Sequence, residues 1–280
     1  LISEDDRYIP EETVKLTEKL LQDPNLVALT SFRGTANTIA LIKSGLLEKS
    51  GVPLVGTLTG ATEVQGAANI FHSRTSYSTE LRKLVKQLHG IGLTRVGVFY
   101  ANDAFGKSGL NSVQLALKEL GTQYVAAFPY EQTNDSIDKG AQQLGKADIN
   151  AVIMIAVGEP AYAFLKALRT ANPNIQAFSM SVVNYAIVVE RLGVKDSYGI
   201  SFSQTFPYPF SDTTPLAREY RNILKKYAPK NSPTYFSMEG YINAKILVEA
   251  MRKAKKPLTA ASVHKALASL TTIDLGGFPL

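Results

Sequence analysis

Apolar positions along this chain fall into two rhythms. Short apolar runs, such as the one holding Val96, Val98 and Phe99 and the run Ala151–Ala156, lack clean in–out alternation. That suits strands covered on both faces of a parallel sheet. Between such runs, apolar residues recur at helical spacing. Leu110, Val113, Leu117 and Leu120 do so, and Gly121 then stops the helix. Thr94–Leu120 is thus one complete strand–loop–helix unit, with Asn102, Asp103 and Gly106 breaking the apolar run. In order, the pattern predicts a helix opened by Pro10, strand Leu26–Ser31, loop 32–35 and a helix running to Ser50-Gly51. Strand Pro53–Gly56, a hydroxyl-rich loop from Thr57, a short strand Ile70–Arg74 and helix Thr79–His89 follow, the last capped by Ser78 with Glu80 in its first turn. After the central unit come strands Tyr124–Phe128, Ala151–Ala156, Gln176–Ser179 and Ile200–Gln204, alternating with helices Ile137–Leu144, Ala161–Ala171 and Ala186–Leu192. This alternation predicts an α/β fold with parallel sheets joined by right-handed crossovers. Phe206-Pro207-Tyr208-Pro209-Phe210 reads as a stiff connector between domains. Three helices follow it, Pro215–Tyr227, Phe236–Ala254 and Thr259–Leu270. Leu1-Ile2 looks like the tail of a strand whose beginning lies upstream.

The chain has 280 residues, enough for one large or two modest domains. With no cysteine, thiol catalysis, disulfides and thiolate metal sites are excluded. The net charge of +6 comes from scattered Lys and Arg. The tightest cluster, Arg252-Lys253-Ala254-Lys255-Lys256, sits at a helix end without interleaved aromatics, so no nucleic-acid partner is expected. The first residues lack the basic start and apolar stretch of a signal peptide, which fits either a cytosolic chain or one whose leader has been removed.

Catalytic constellations are missing. His72, His89 and His264 lie far apart without metal-ligand spacing, and no G-x-S-x-G, H-E-x-x-H or G-x-G-x-x-G occurs. Gly106-Lys107-Ser108 imitates the end of a phosphate-binding loop, but Ala101 stands where that motif needs glycine. A helix start is the expected reading. No metal, cofactor or catalytic residue is predicted. What remains is a series of strand-end loops rich in small donors: Gly34-Thr35, Thr57–Gly60, Asn102–Gly106, Gly158-Glu159 and Ser179–Ser181. Backbone N–H groups at the helix starts, with hydroxyls beside them, suit a small carboxylate. The chain therefore reads as a binder.

At these loops the sequence resembles the type I periplasmic solute-binding proteins, in the leucine/isoleucine/valine-binding branch of ABC transporter receptors. The likeness is carried in order by Asp5-Asp6-Arg7-Tyr8-Ile9-Pro10, Gly51-Val52-Pro53-Leu54-Val55, Arg74-Thr75-Ser76-Tyr77, Val98–Gly106 and Ser237-Met238-Glu239-Gly240-Tyr241. The resemblance implies two Rossmann-like lobes, residues 1–75 with 208–280 and residues 76–207, closing on a ligand in the cleft between them. It implies a ligand carboxylate at Gly34, Thr35, Thr57, Thr59 and Gly60, with Tyr77 and Phe105 as aromatic walls. Ser181 stands where amino-acid binders supply an acid for the ligand ammonium, and here the loop 179–181 has none. Either Glu159 takes over that task or the ligand is a carboxylate without an amine. Glu239 is expected to be a first-turn helix acid. The implied protein is a monomeric periplasmic receptor delivering an amino acid or organic acid to an inner-membrane ABC permease. A sensor domain of the same fold and an NTPase using Lys107-Ser108 are the alternatives.

Overall fold

Eight strands, every pair of neighbours parallel, form two separate sheets in the computed structural model, which describes residues 1–280. The sheets belong to two units, one made of Leu1–Thr75 and Phe206–Leu280, the other of Ser76–Thr205.

The first unit holds β1 (Leu29–Arg33), β2 (Leu54–Leu58) and β3 (Ile70–Phe71), side by side in that order. Its helices are α1 (Pro10–Leu20), α2 (Thr35–Ser44) and α3 (Leu46–Ser50), followed after the excursion into the other unit by three more. Leu29, Leu41, Leu47 and Leu54 form one apolar cluster between β1, β2, α2 and α3. A second cluster packs Val55 of β2 with Leu216, Tyr220, Met238, Ile242 and Val263 from the later helices.

The second unit alternates strand and helix throughout. Helix α4 (Tyr77–Gly90) leads to β4 (Val96–Ala101), α5 (Ala104–Glu119), β5 (Ala126–Tyr130), α6 (Asn134–Lys146), β6 (Ala151–Ile155), α7 (Glu159–Ala171), β7 (Gln176–Ser179), α8 (Tyr185–Asp196) and β8 (Ile200–Phe202). The sheet order β5-β4-β6-β7-β8 places β4, β6 and β7 inside. The apolar run of β6 is buried at every position, as strands covered on both faces require. Phe99 of β4 stacks on Phe164 of α7 with ring centroids 3.7 Å apart. The chain then returns to the first unit for α9 (Pro215–Tyr227), α10 (Tyr235–Lys253) and α11 (Ala260–Ala268).

Several boundaries differ from the sequence reading, for local reasons. β1 runs on through Phe32 and Arg33, which had been read as loop, because both pair with β2. Thr57 and Leu58 likewise belong to β2. The long helix expected after Gly34 breaks at Gly45, whose φ of 69° provides a left-handed stop. Ser76, two residues earlier than expected, caps α4 by accepting the Thr79 N–H at 3.2 Å. β5 lies two residues further on, at Ala126–Tyr130, in register with Gly97–Ala101. α8 is regular to Leu192, after which Gly193 at φ 78° interrupts it. Leu1 and Ile2 are exposed and lie outside any strand.

Candidate functional site

In the first unit the site begins where β1 hands over to α2. Gly34 is the N-cap of α2 with φ 99° and ψ 135°, a conformation that favours glycine. A Cβ there would also meet Asn37 Oδ1 at 2.6 Å and the Tyr8 ring at 2.8 Å. No side chain caps α2 and its first turn carries no acid. Thr35, buried in that first turn, shares a 2.7 Å hydrogen bond with Thr59 beyond β2. Thr57 reaches the Thr59 carbonyl and His72 Nδ1, each at 3.4 Å. Gly60 is buried beside them. Gly34, Thr35, Thr57 and Thr59 thus form one hydroxyl-rich corner at the carboxyl ends of β1 and β2, where open α/β sheets bind ligands. His72 belongs to this corner and was not foreseen, since it lies 15 positions from Thr57. Its other ring nitrogen meets the Val64 carbonyl at 3.1 Å. Burial pushes the His72 pKa below its ordinary value, against the pull of that carbonyl.

The sequence pattern predicts Glu239 as a first-turn helix acid. It lies beyond the first turn of α10 and is buried. Arg74 meets it in a two-pronged ion pair, Nε to Oε1 at 2.8 Å and Nη2 to Oε2 at 3.0 Å. The Arg74 guanidinium also lies 5.9 Å from the centroid of the Phe206 ring.

In the second unit, Tyr77 and Phe105 meet edge to face with centroids 5.5 Å apart, both buried. Asp103 caps α5 by accepting the Gly106 N–H at 2.9 Å. That donor is one that a phosphate loop would offer to its nucleotide. Gly106 has a second duty, for a Cβ there would come within 1.9 Å of the Ala101 carbonyl oxygen. Lys107 is exposed on α5. Phe105–Ser108 is therefore a helix start packed against β4, as the sequence suggested.

Glu159, at the start of α7, is exposed and carries its own cation, Arg191 Nη2 at 2.7 Å. Ser181 is buried, and its partner is an acid from another element. The Glu80 side chain on α4 accepts the Ser181 N–H at 2.7 Å and the Ser181 hydroxyl at 3.1 Å. It also accepts the Ser203 hydroxyl at 2.6 Å. Reading the loop in isolation missed this acid, because 101 positions separate the partners.

All 280 residues match the family model described as periplasmic binding protein. Among solved structures, a substrate-binding periplasmic protein from Ralstonia solanacearum is 31% identical with a TM-score of 0.92, over 98% of this chain and 78% of that one. An extracellular ligand-binding receptor from Verminephrobacter eiseniae gives a TM-score of 0.95 at 28% identity, over 100% of this chain and 80% of that chain. The curated Leu/Ile/Val-binding protein homolog 7 of Brucella abortus is 21% identical over 248 residues, which are 82% of this chain and 61% of the relative's length.

Proposed function

We propose that this chain, which belongs to the type I periplasmic binding protein family, captures a small organic solute bearing a carboxylate and delivers it to an ABC permease. The observation that carries the carboxylate is the start of α2. Its first turn has neither a capping side chain nor an acid, and the Thr35–Thr59 hydroxyl pair stands beside it. Helix starts of this kind attract anions through their free N–H groups and the positive end of the dipole. The loop 34–35 with Thr57, Thr59 and Gly60 forms the carboxylate side of the proposal. Tyr77 and Phe105 supply an apolar wall, and Ser181 with its surroundings a polar one. The capture proceeds without covalent chemistry and without a cofactor. The receptor works as a monomer in the periplasm.

A thermal-shift screen of the full chain tests this reading. The panel holds amino acids, aromatic and aliphatic carboxylates, and magnesium nucleotides. A solute that binds only the folded state raises the melting temperature by mass action. The expected hits are carboxylates, and K107A leaves them unchanged. A shift with magnesium nucleotide alone, abolished in K107A, would overturn the proposal.

A further inference from the structure

Two residues of the first sheet adopt left-handed backbone although both lie inside strands, Ser31 of β1 at φ 60° and Gly56 of β2 at φ 73°. They stand opposite each other. Thr30 pairs with Val55 before them and Phe32 with Thr57 after them, so the register is the same on both sides. A left-handed residue inside a strand redirects the chain beyond it, as a bulge does. Here both strands turn at one level and stay paired as far as Arg33 and Leu58. Glycine accepts this conformation freely, whereas for serine it is strained. Something must hold Ser31 there.

The restraint comes from α10. Asn243 is buried at 2% exposure, and its amide fills the space that a side chain on Gly56 would need. A Cβ on Gly56 would lie 2.3 Å from Asn243 Cγ and Nδ2 and 2.4 Å from Oδ1. Asn243 Nδ2 also donates to Ser31 Oγ at 3.1 Å. Ser31 Oγ in turn lies 3.2 Å from the Thr30 hydroxyl, which donates to the Val55 carbonyl at 3.0 Å. One side chain thus meets both left-handed residues, and the chain of hydrogen bonds it starts ends just before Gly56. Asn243 Oδ1 is buried without a partner. For packing alone an apolar side chain would serve better, because a buried amide oxygen left unpaired is destabilising. The kink lies directly before the candidate site. Thr57 follows Gly56, and Gly34 and Thr35 follow the end of β1. The Thr35 and Thr59 hydroxyls, 2.7 Å apart, belong to the segments that leave the two strands beyond it.

We infer that Asn243 is a positioning residue for the carboxylate corner: by holding Ser31 and Gly56 left-handed at one level, it aims the ends of β1 and β2 so that Gly34-Thr35 and Thr57–Thr59 converge. It acts through the two strands and not on the solute itself. A residue in the middle of a late helix thereby sets the affinity of a site built from early loops. The inference rests on the solute-binding reading above.

The test measures affinities by calorimetry on the full chain, with leucine, 4-methylpentanoate, phenylalanine and 3-phenylpropanoate as probes. Wild type is compared with N243A, S31G and S31G/N243A. I242V, at the neighbouring core position of α10, is the control for lost stability. N243A should weaken the binding of any probe that wild type binds by at least about tenfold, since small displacements of positioning groups have large effects. S31G should stay within about twofold of wild type, because glycine keeps the left-handed conformation without help. For the same reason S31G/N243A should recover most of the loss. I242V should melt at a lower temperature with its affinity unchanged. Should N243A fail to fold, N243S, which leaves a smaller void, replaces it in both backgrounds. Unchanged affinity in a folded N243A overturns the positioning role and leaves the solute-binding reading intact. A loss that S31G does not restore, or one that I242V matches, does the same. Absence of binding to wild type by these probes and by every other carboxylate of the thermal-shift panel overturns both.

Discussion

Two single side chains show how much of this molecule depends on local chemistry. His72 is held between the Thr57 hydroxyl and the Val64 carbonyl, and burial disfavours its charged form. Its folded pKa lies below the ordinary 6.5, so as pH falls through 6.5 the unfolded chain takes up a proton that the folded one refuses. Stability is therefore lost on acidification, from about pH 7 downward until the folded His72 itself titrates. Thermal melts between pH 7.5 and 5.5 should show this slope in the wild type and a shallower one in H72Q. Gly106 makes a steric demand instead, because a methyl group there would overlap the Ala101 carbonyl. G106A should destabilise the fold by about 3 kcal/mol in chemical denaturation, as overpacking against backbone does. At this scale the sequence was uneven to read. Gly34 and Thr35 stood out, because a glycine before a helix and a hydroxyl in its first turn are local signals. His72 and Glu80 did not, because their partners are distant in sequence and a buried acid looks the same on paper as a solvated one.

At the scale of elements, sequence pattern served well wherever apolar runs were long or breakers were strong. Strand Gln176–Ser179 and helix Pro215–Tyr227 were placed at their observed bounds, the helix announced by proline at its start. Errors gathered where neighbours compete. Ser76, Ser78 and Thr79 can all serve as caps, and packing selects Ser76. Thr57 was assigned to a loop for its hydroxyl, although a β-branched residue suits the strand it occupies. Glu239 was misread for a related reason, since its burial depends on Arg74, 165 positions away. That pair binds α10 to the segment after β3, and its geometry satisfies both oxygens of the carboxylate. R74M and E239L should each cost about 3–5 kcal/mol, because each strands a buried charge. The double variant R74M/E239L should recover most of the loss, since apolar side chains of similar volume replace a buried pair at little cost. Urea titrations of the four proteins form the required double-mutant cycle, and two costs that simply add would show that the pair is not coupled.

For the whole molecule, chain connectivity makes the two units unequal. The first is assembled from two segments, Leu1–Thr75 and Phe206–Leu280, so β2 meets the apolar faces of α9, α10 and α11 only after everything between has been made. The second, Ser76–Thr205, is a single uninterrupted segment of about 130 residues, the size of an autonomous domain. Its five strands pair only with one another, and Phe99 of β4 stacks on Phe164 of α7 inside it. Glu80, Ser181 and Ser203, joined by hydrogen bonds, also lie in this segment. Expressed alone, residues 76–205 should fold cooperatively, with helix and strand signals in circular dichroism that vanish in one thermal transition. Residues 1–75 alone should not, because Val55 would then lack the partners that α9 to α11 provide. Introducing E80A into the excised segment tests the structural role of that acid. Loss of its three hydrogen bonds should lower the melting temperature in the absence of any solute, since Ser181 and Ser203 lose the acceptor they share. E80Q, which retains an acceptor, should melt closer to the wild type. A segment that stays unfolded under native conditions would mean that its core depends on the first unit after all.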